Sequence, residues 1–129
     1  MDEVLISLDV ACKEQNLIER ALCEFNVVAI IVHSYKKAME QLIKRKCRLV
    51  ILNCFDSHDD LNAVETVKMM KELLPELIII TISEETSLEI ERELRKSGIY
   101  YHITSPIDEH ELREVLAGAI TKNIKRNIR

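Results

Sequence analysis

The chain has 129 residues, 47% of them hydrophobic and 31% charged, the size and balance of one folded domain and not of a disordered chain. With 4% aromatics, two glycines and two prolines, its core must be aliphatic, and it has too few glycines for a P-loop or a dinucleotide-binding turn and too few turn formers for a β-sandwich. The net charge of −4 gives no general nucleic-acid footprint.

Short apolar runs alternate with amphipathic stretches along the chain. Residues 3–8 (EVLISL) predict a strand. Residues 11–25 place Leu17, Ile18, Ala21, Leu22 and Phe25 at helical spacing,. Residues 27–33 (VVAIIVH) are almost wholly apolar and β-branched and predict a buried strand,. Ser34 is a candidate N-cap for a helix over 35–46 whose inner face is Ala38, Met39, Leu42 and Ile43,. Residues 48–53 (RLVILN) predict a third strand, followed by the polar loop Asp56-Ser57-His58-Asp59-Asp60, in which Asp59 or Asp60 is the candidate cap of the third helix. That helix covers 61–74, points Val64, Val67, Met70, Leu73 and Leu74 inward, and stops at Pro75,.

Residues 77–82 (LIIITI) predict a fourth strand. Ser83 or Thr86 can cap a fourth helix that runs through Leu88, Ile90 and Leu94 to about Lys96, with Gly98 as its C-terminal cap,. Residues 99–104 (IYYHIT) form the fifth strand, and Asp108 caps a last helix that buries Leu112, Val115, Leu116, Ala119 and Ile120. Five β-α units with continuous apolar strands predict an α/β fold, a three-layer α/β/α sandwich around a five-stranded parallel sheet. The expected strand order is 2-1-3-4-5, the flavodoxin-like arrangement. Residues 1–121 form the domain, and 122–129 form a basic tail (Lys122, Lys125, Arg126, Arg129) or an extension of the last helix, since Ile120, Ile124 and Ile128 recur at i+4.

Cys12, Cys23, Cys47 and Cys54 show neither CxxC nor zinc-site spacing, so they read as reduced, mostly buried thiols of a cytoplasmic protein. The sequence shows no signal peptide and no apolar run of the roughly 20 residues needed to cross a bilayer.

In an open parallel sheet, chemistry collects at the carboxyl ends of the strands. Those ends are Leu8-Asp9, Asn53, Thr81-Ile82-Ser83 and Thr104-Ser105-Pro106. The segment Gly98-Ile99-Tyr100-Tyr101-His102-Ile103-Thr104-Ser105-Pro106-Ile107-Asp108, followed by Glu111-Leu112 and Leu116, resembles the corresponding stretch of response-regulator receiver domains, the phospho-acceptor modules of two-component signalling. RLVILN ahead of Asp59-Asp60, and the strand LIIIT, match as well, so the resemblance spans residues 3–121. It implies an acidic pair after strand 1 that holds Mg²⁺ and an acceptor aspartate ending strand 3. It also implies a Thr or Ser ending strand 4, a lysine before the proline of strand 5, and an aromatic switch residue on strand 5.

Against that pattern this chain carries Leu8 for the first acidic residue, with only Asp9 retained. Asn53 stands at the acceptor position, Ser105 replaces the lysine, and His102 takes the switch position. Thr81 and Pro106 are retained, and the bulk of Ile82 after Thr81 is expected to narrow the pocket. A carboxamide is a poor nucleophile and brings no charge to a hard cation. Phosphoryl transfer depends on positioning and charge stabilisation, so losing acceptor, metal ligand and lysine together leaves it no obvious route.

The remaining candidates divide in the same way. Asp9, a weak metal candidate, is expected to bond the following loop, Thr81 to be a structural hydroxyl, and His102 to be a partly exposed strand histidine, although histidine titrates near neutrality. His58 with its neighbouring carboxylates is a conceivable metal site, but the loop reads as a solvated one. The expectation is a non-enzymatic, non-phosphorylatable pseudo-receiver in a two-component or phosphorelay-type pathway, with no cofactor and at most weak Mg²⁺ binding. It acts on a protein partner, a histidine kinase or effector domain, and forms a homodimer through helix 4, strand 5 and helix 5, using Glu89, Arg92, Glu93, Tyr101, Arg113 and Glu114. Neither membrane nor nucleic acid is expected as a partner. The alternatives are a receiver phosphorylated at a displaced carboxylate such as Asp56, a small-ligand sensor, and nucleic-acid binding through the tail.

Overall fold

The computed structural model describes residues 3–54, 61–84 and 88–127, with 122–127 described by backbone alone. Strands and helices alternate throughout: β1 (Glu3–Ser7), α1 (Gln15–Cys23), β2 (Val28–Val32), α2 (Tyr35–Lys44), β3 (Leu49–Asn53), α3 (Ala63–Leu73), β4 (Ile78–Ser83), α4 (Leu88–Lys96), β5 (Tyr101–Thr104) and α5 (Glu109–Asn127). All neighbouring strands pair in parallel, in the order β2-β1-β3-β4-β5, so the α/β class and strand order expected from the sequence hold.

Two aliphatic cores cover the sheet. One packs α1 and α5 against Val4, Ile6, Leu49, Ile51, Ile80 and Ile103. The other packs α2, α3 and α4 against Leu5, Val50, Leu52 and Ile79. Alternation of side chains along each strand sends neighbours to opposite cores, and all residues of β3 and β4 are buried.

The helix ends follow local chemistry. Ser34 accepts a hydrogen bond from the Lys37 N–H at 3.1 Å and caps α2,. Asn62 caps α3 by accepting from the Glu65 N–H at 2.8 Å, while its own amide donates to the Glu65 carboxylate at 2.8 Å. This reciprocal pair replaces the cap expected from Asp59 or Asp60, which lie outside the described residues, as does Thr86. Asp108 accepts from the N–H groups of His110 and Glu111 at 2.9 and 3.1 Å and starts α5, as expected.

After α4, the Gly98 N–H bonds the Arg95 carbonyl and the Ile99 N–H bonds the Leu94 carbonyl. This is a Schellman closure that needs the left-handed φ of +96° at Gly98,. The backbone of α5 continues to Asn127.

The structure corrects several sequence expectations. β2 is only half-buried over Ala29–Ile31, with Val28 exposed, because it lies at the sheet edge with a single neighbour. α1 starts at Gln15, since residues before it form a turn closed by the Cys12 N–H on the Asp9 carbonyl. Ile43, Leu73 and Leu74, expected inside, are 70%, 48% and 37% exposed. They stand at the carboxyl ends of α2 and α3, where helical periodicity continues but no element among the described residues covers it. Leu88 and Ile90 are likewise exposed. Of the four free cysteines only Cys47 is fully buried, Cys12 and Cys54 are partly buried, and Cys23 is exposed.

Gly98→Ala forces a β-carbon into the left-handed region and to within 3.2 Å of the Lys71 Cε. Urea denaturation is expected to show a loss of about 1 kcal/mol or more, with the denaturant slope unchanged.

Candidate functional site

The carboxyl ends of β1, β3, β4 and β5 share one edge of the sheet, because all strands are parallel and in near register. Leu8, just past β1, is fully buried in the α1–α5 core. Its N–H donates to the Val32 carbonyl at 3.0 Å, and the His33 Nδ1–H donates to its carbonyl at 3.1 Å. The Asp9 carboxylate accepts from the Ala11 N–H at 3.4 Å, a bond to the following loop of the kind expected from the sequence.

Asn53 ends β3 and is 7% exposed. Its carboxamide is occupied at both ends: Oδ1 accepts from the Asp9 N–H at 3.3 Å, and Nδ2 donates to the Ile82 carbonyl at 3.3 Å. The Tyr35 hydroxyl, fully buried, donates to the Asn53 carbonyl at 2.8 Å. A carboxylate in this place could not donate to the Ile82 carbonyl, and would leave a buried acceptor facing an acceptor. Cys54, next in the chain, has its thiol pushed up to about 12 by burial, so it is held protonated and is a poor nucleophile.

β4 extends one residue further than expected and ends at Ser83. Thr81 and Ser83 point to one face, and the register sets His102 of β5 opposite Thr81,. The His102 ring bonds both: Nδ1 to the Thr81 hydroxyl at 2.6 Å and Nε2 to the Ser83 hydroxyl at 3.0 Å. His102 is therefore buried, at 8% exposure, and not the partly exposed histidine expected. Burial lowers its pKa below the usual histidine value. The Arg95 guanidinium acts in the same direction and the Glu91 carboxylate against it. Ile82 turns the other way, into the α1–α5 core, so its bulk is packed there.

The β5–α5 connection carries Ser105 and Pro106, joined by a cis peptide bond. Here the structure adds a residue that sequence reasoning missed. Glu14 precedes α1, makes no capping bond there, and reaches across to this loop. It accepts from the Ser105 hydroxyl and, at 2.5 Å, from the Ile107 N–H. Charge-assisted bonds of this kind are about twice as strong as neutral ones. The partners are more than ninety residues apart in sequence, so only an acidic residue in an otherwise ordinary helix start hinted at them. Ser83, read from the sequence as a strand end and as a candidate cap of the fourth helix, is the last residue of β4 and bonds the His102 ring, five residues ahead of the start of α4.

The Asp9 carboxylate, the committed Asn53 carboxamide and the aliphatic Leu8 make a poor oxygen-donor set for a hard cation, and the Glu14 carboxylate is taken up by Ser105 and Ile107,. Among the described residues no group of three or more His, Cys, Asp or Glu is placed to hold a metal ion. Asp56, Ser57, His58, Asp59 and Asp60 lie outside the described residues.

The residues expected on a partner surface are spread over α4, β5 and α5. Glu89, Arg92 and Glu114 are exposed, while Glu93 and Tyr101 are half-buried. Glu93 pairs with Lys96 at 3.8 Å, Glu114 with His110 at 3.0 Å, and the Tyr101 hydroxyl donates to Glu111 at 3.0 Å. Arg113 bridges Glu24, just past α1, and Glu109, at 3.0 and 3.1 Å; it therefore faces the α1 side of α5.

No family model matches the chain, and no curated protein matches it in sequence. Its backbone is similar to many solved structures. A CheY-like response regulator receiver domain protein from Methanospirillum hungatei JF-1 superposes with a TM-score of 0.84 at 16% identity, covering 98% of both chains. The signal receiver domain of an HD domain-containing protein from Pseudomonas fluorescens Pf-5 gives 0.85 at 18%, covering 96% of this chain and 98% of that one. NtrX from Brucella abortus, in complex with ADP, gives 0.83 at 22%; the match covers 99% of this chain but only 29% of NtrX. The chain therefore has the receiver fold.

The low pKa of His102 has a consequence for stability. The unfolded chain protonates its histidine near 6.5, whereas the folded one resists until lower pH, so the unfolded state binds more protons between these values. Stability from this group is full above about 6.5 and is lost as pH falls through the folded value. Chemical denaturation between pH 7.5 and 5 should show wild type losing more stability than His102→Gln. Equal losses would contradict a buried neutral imidazole.

Proposed function

We propose that the protein is a receiver-like signalling module that acts through protein–protein contacts, without aspartyl phosphorylation and without a metal cofactor. The observation that carries this reading is the state of the Asn53 carboxamide, hydrogen-bonded at both ends inside the site. No nucleophilic carboxylate stands there, and the group that does is part of the structural bonding between β1, β3 and β4. The Glu14 carboxylate on Ser105 and Ile107 adds to it, because it sets a negative charge beside the place where a phosphoryl oxygen would need a cation.

The output surface in this reading is the face of α4, β5 and α5. His102 lies behind it, tied to Thr81 and Ser83, which favours one fixed arrangement of β4 and β5. Exposed Glu89 and Arg92 offer both signs of charge, suited to a self-complementary homodimer or to a kinase or effector partner in a cytoplasmic two-component pathway. That neighbours of this fold occur as parts of larger proteins, NtrX and an HD domain-containing protein, is consistent with such a partner.

Incubation with acetyl phosphate and Mg²⁺ followed by intact-mass measurement should leave the mass unchanged. A gain of one phosphoryl group, lost in Asp56→Ala, would instead establish phosphorylation at a displaced carboxylate. In sedimentation velocity the protein should associate with rising concentration, and Arg92→Glu should weaken that association; a monomer at high concentration would rule out the homodimer.

A further inference from the structure

The helical pattern of α2 and α3 marks Ile43, Leu73 and Leu74 as inward residues, yet all three are exposed, Ile43 most of all. They are not scattered. All three line one groove of about 550 Å³ at the end of the sheet opposite the site, with Leu42 and Leu77 along its floor. Grooves of this size with mostly apolar walls and a few polar groups are typical recognition sites, and apolar side chains gathered on one surface call for a cover.

The rim tells which cover fits. Arg45, Lys46 and Arg48 line it, against the single carboxylate of Glu76, so the groove is basic on a chain whose net charge is −4. Arg45 is held by Glu3 at 3.0 Å and by Gln41 at 2.7 Å. Next to the α2 terminus it also offsets the negative end of that helix. Lys46 and Arg48 stand beyond the helix, are exposed, and form no ion pair among the described residues. Two uncommitted cations beside three uncovered aliphatic side chains match a ligand that brings carboxylates and aliphatic anchors together.

We propose that this groove docks an acidic, leucine-bearing segment of a partner protein. The aliphatic anchors bury against Ile43, Leu73 and Leu74, and the carboxylates pair with Lys46 and Arg48. Because the groove lies at the amino-terminal end of β3 and β4, it is separate from the face of α4, β5 and α5. The module can then hold two partners at once, and the docking reading stands or falls independently of the phosphorylation reading.

The test is a titration of the ¹⁵N-labelled full chain with a synthetic amphipathic peptide of leucine and glutamate. The same peptide with lysine in place of glutamate serves as control. Shift changes should concentrate at residues 42–48 and 73–77. Binding should weaken with added salt. It should fall about tenfold in the double variant K46E/R48E, equivalent to about 1.4 kcal/mol, and also fall in Ile43→Gln. All three substituted residues are exposed, and an unchanged thermal melt confirms that the fold is retained. No binding, shift changes elsewhere, or equal binding of the lysine peptide would overturn the proposal. Groove shifts that grow with protein concentration in the absence of peptide would overturn it in favour of a second copy of the chain.

Discussion

A parallel sheet has to be covered on both faces, and this chain meets that requirement with aliphatic side chains almost alone. β3 and β4 are buried along their whole length, with one core against α1 and α5 and another against α2, α3 and α4. Apolar burial is worth roughly 25 cal/mol per Å², and here it is spent on fixing five strands in one register. That register brings residues from all parts of the chain to a common edge. Leu8, Asn53, Ser83 and Ser105 each follow or end a different strand, and the sheet makes them parts of one site.

At that edge, internal hydrogen bonds, neutral at Asn53 and His102 and charge-assisted at Glu14, stand where the receiver pattern has a metal and its charged ligands. The Asn53 amide bonds β1 and β4 at once, the His102 ring links two hydroxyls of β4, and Glu14 ties the β5–α5 loop to the start of α1. Each neutral bond is modest alone, about 1 kcal/mol net, and the Glu14 bonds are about twice as strong. Their common effect is that the polar atoms of Asn53, His102 and Glu14 are partnered inside the protein, while the buried Ser7 hydroxyl at the end of β1 is left without a partner among the described residues. This bonding is what supports the proposal of a module whose surface is read by partners.

The opposite end of the sheet shows what the same architecture leaves unfinished. α2 and α3 keep their apolar periodicity to their last turns, but among the described residues no element lies over Ile43, Leu73 and Leu74. The chain thus presents two contrasting ends, one closed by internal polar bonds and the other open, apolar and rimmed by cations.

Much of this was legible in the residues themselves. The alternation of apolar runs with helical spacing, the cap at Ser34, the glycine closing α4 and the cap at Asp108 are local signals, and each appears where local chemistry put it. The substitutions at Leu8, Asn53 and Ser105 could be read because the strand ends are predictable from the runs that precede them. Three things could not be read locally. Glu14 meets Ser105 only after the sheet has formed, and His102 became a buried ring with two partners only through the pairing of β4 with β5. Burial of the last turns of α2 and α3 depended on neighbours that periodicity does not specify. Sequence by itself determined which elements form and which chemical groups the site contains. Tertiary structure alone decided which of those groups are partnered, since hydrogen bonds and cover between distant segments depend on the register of the sheet.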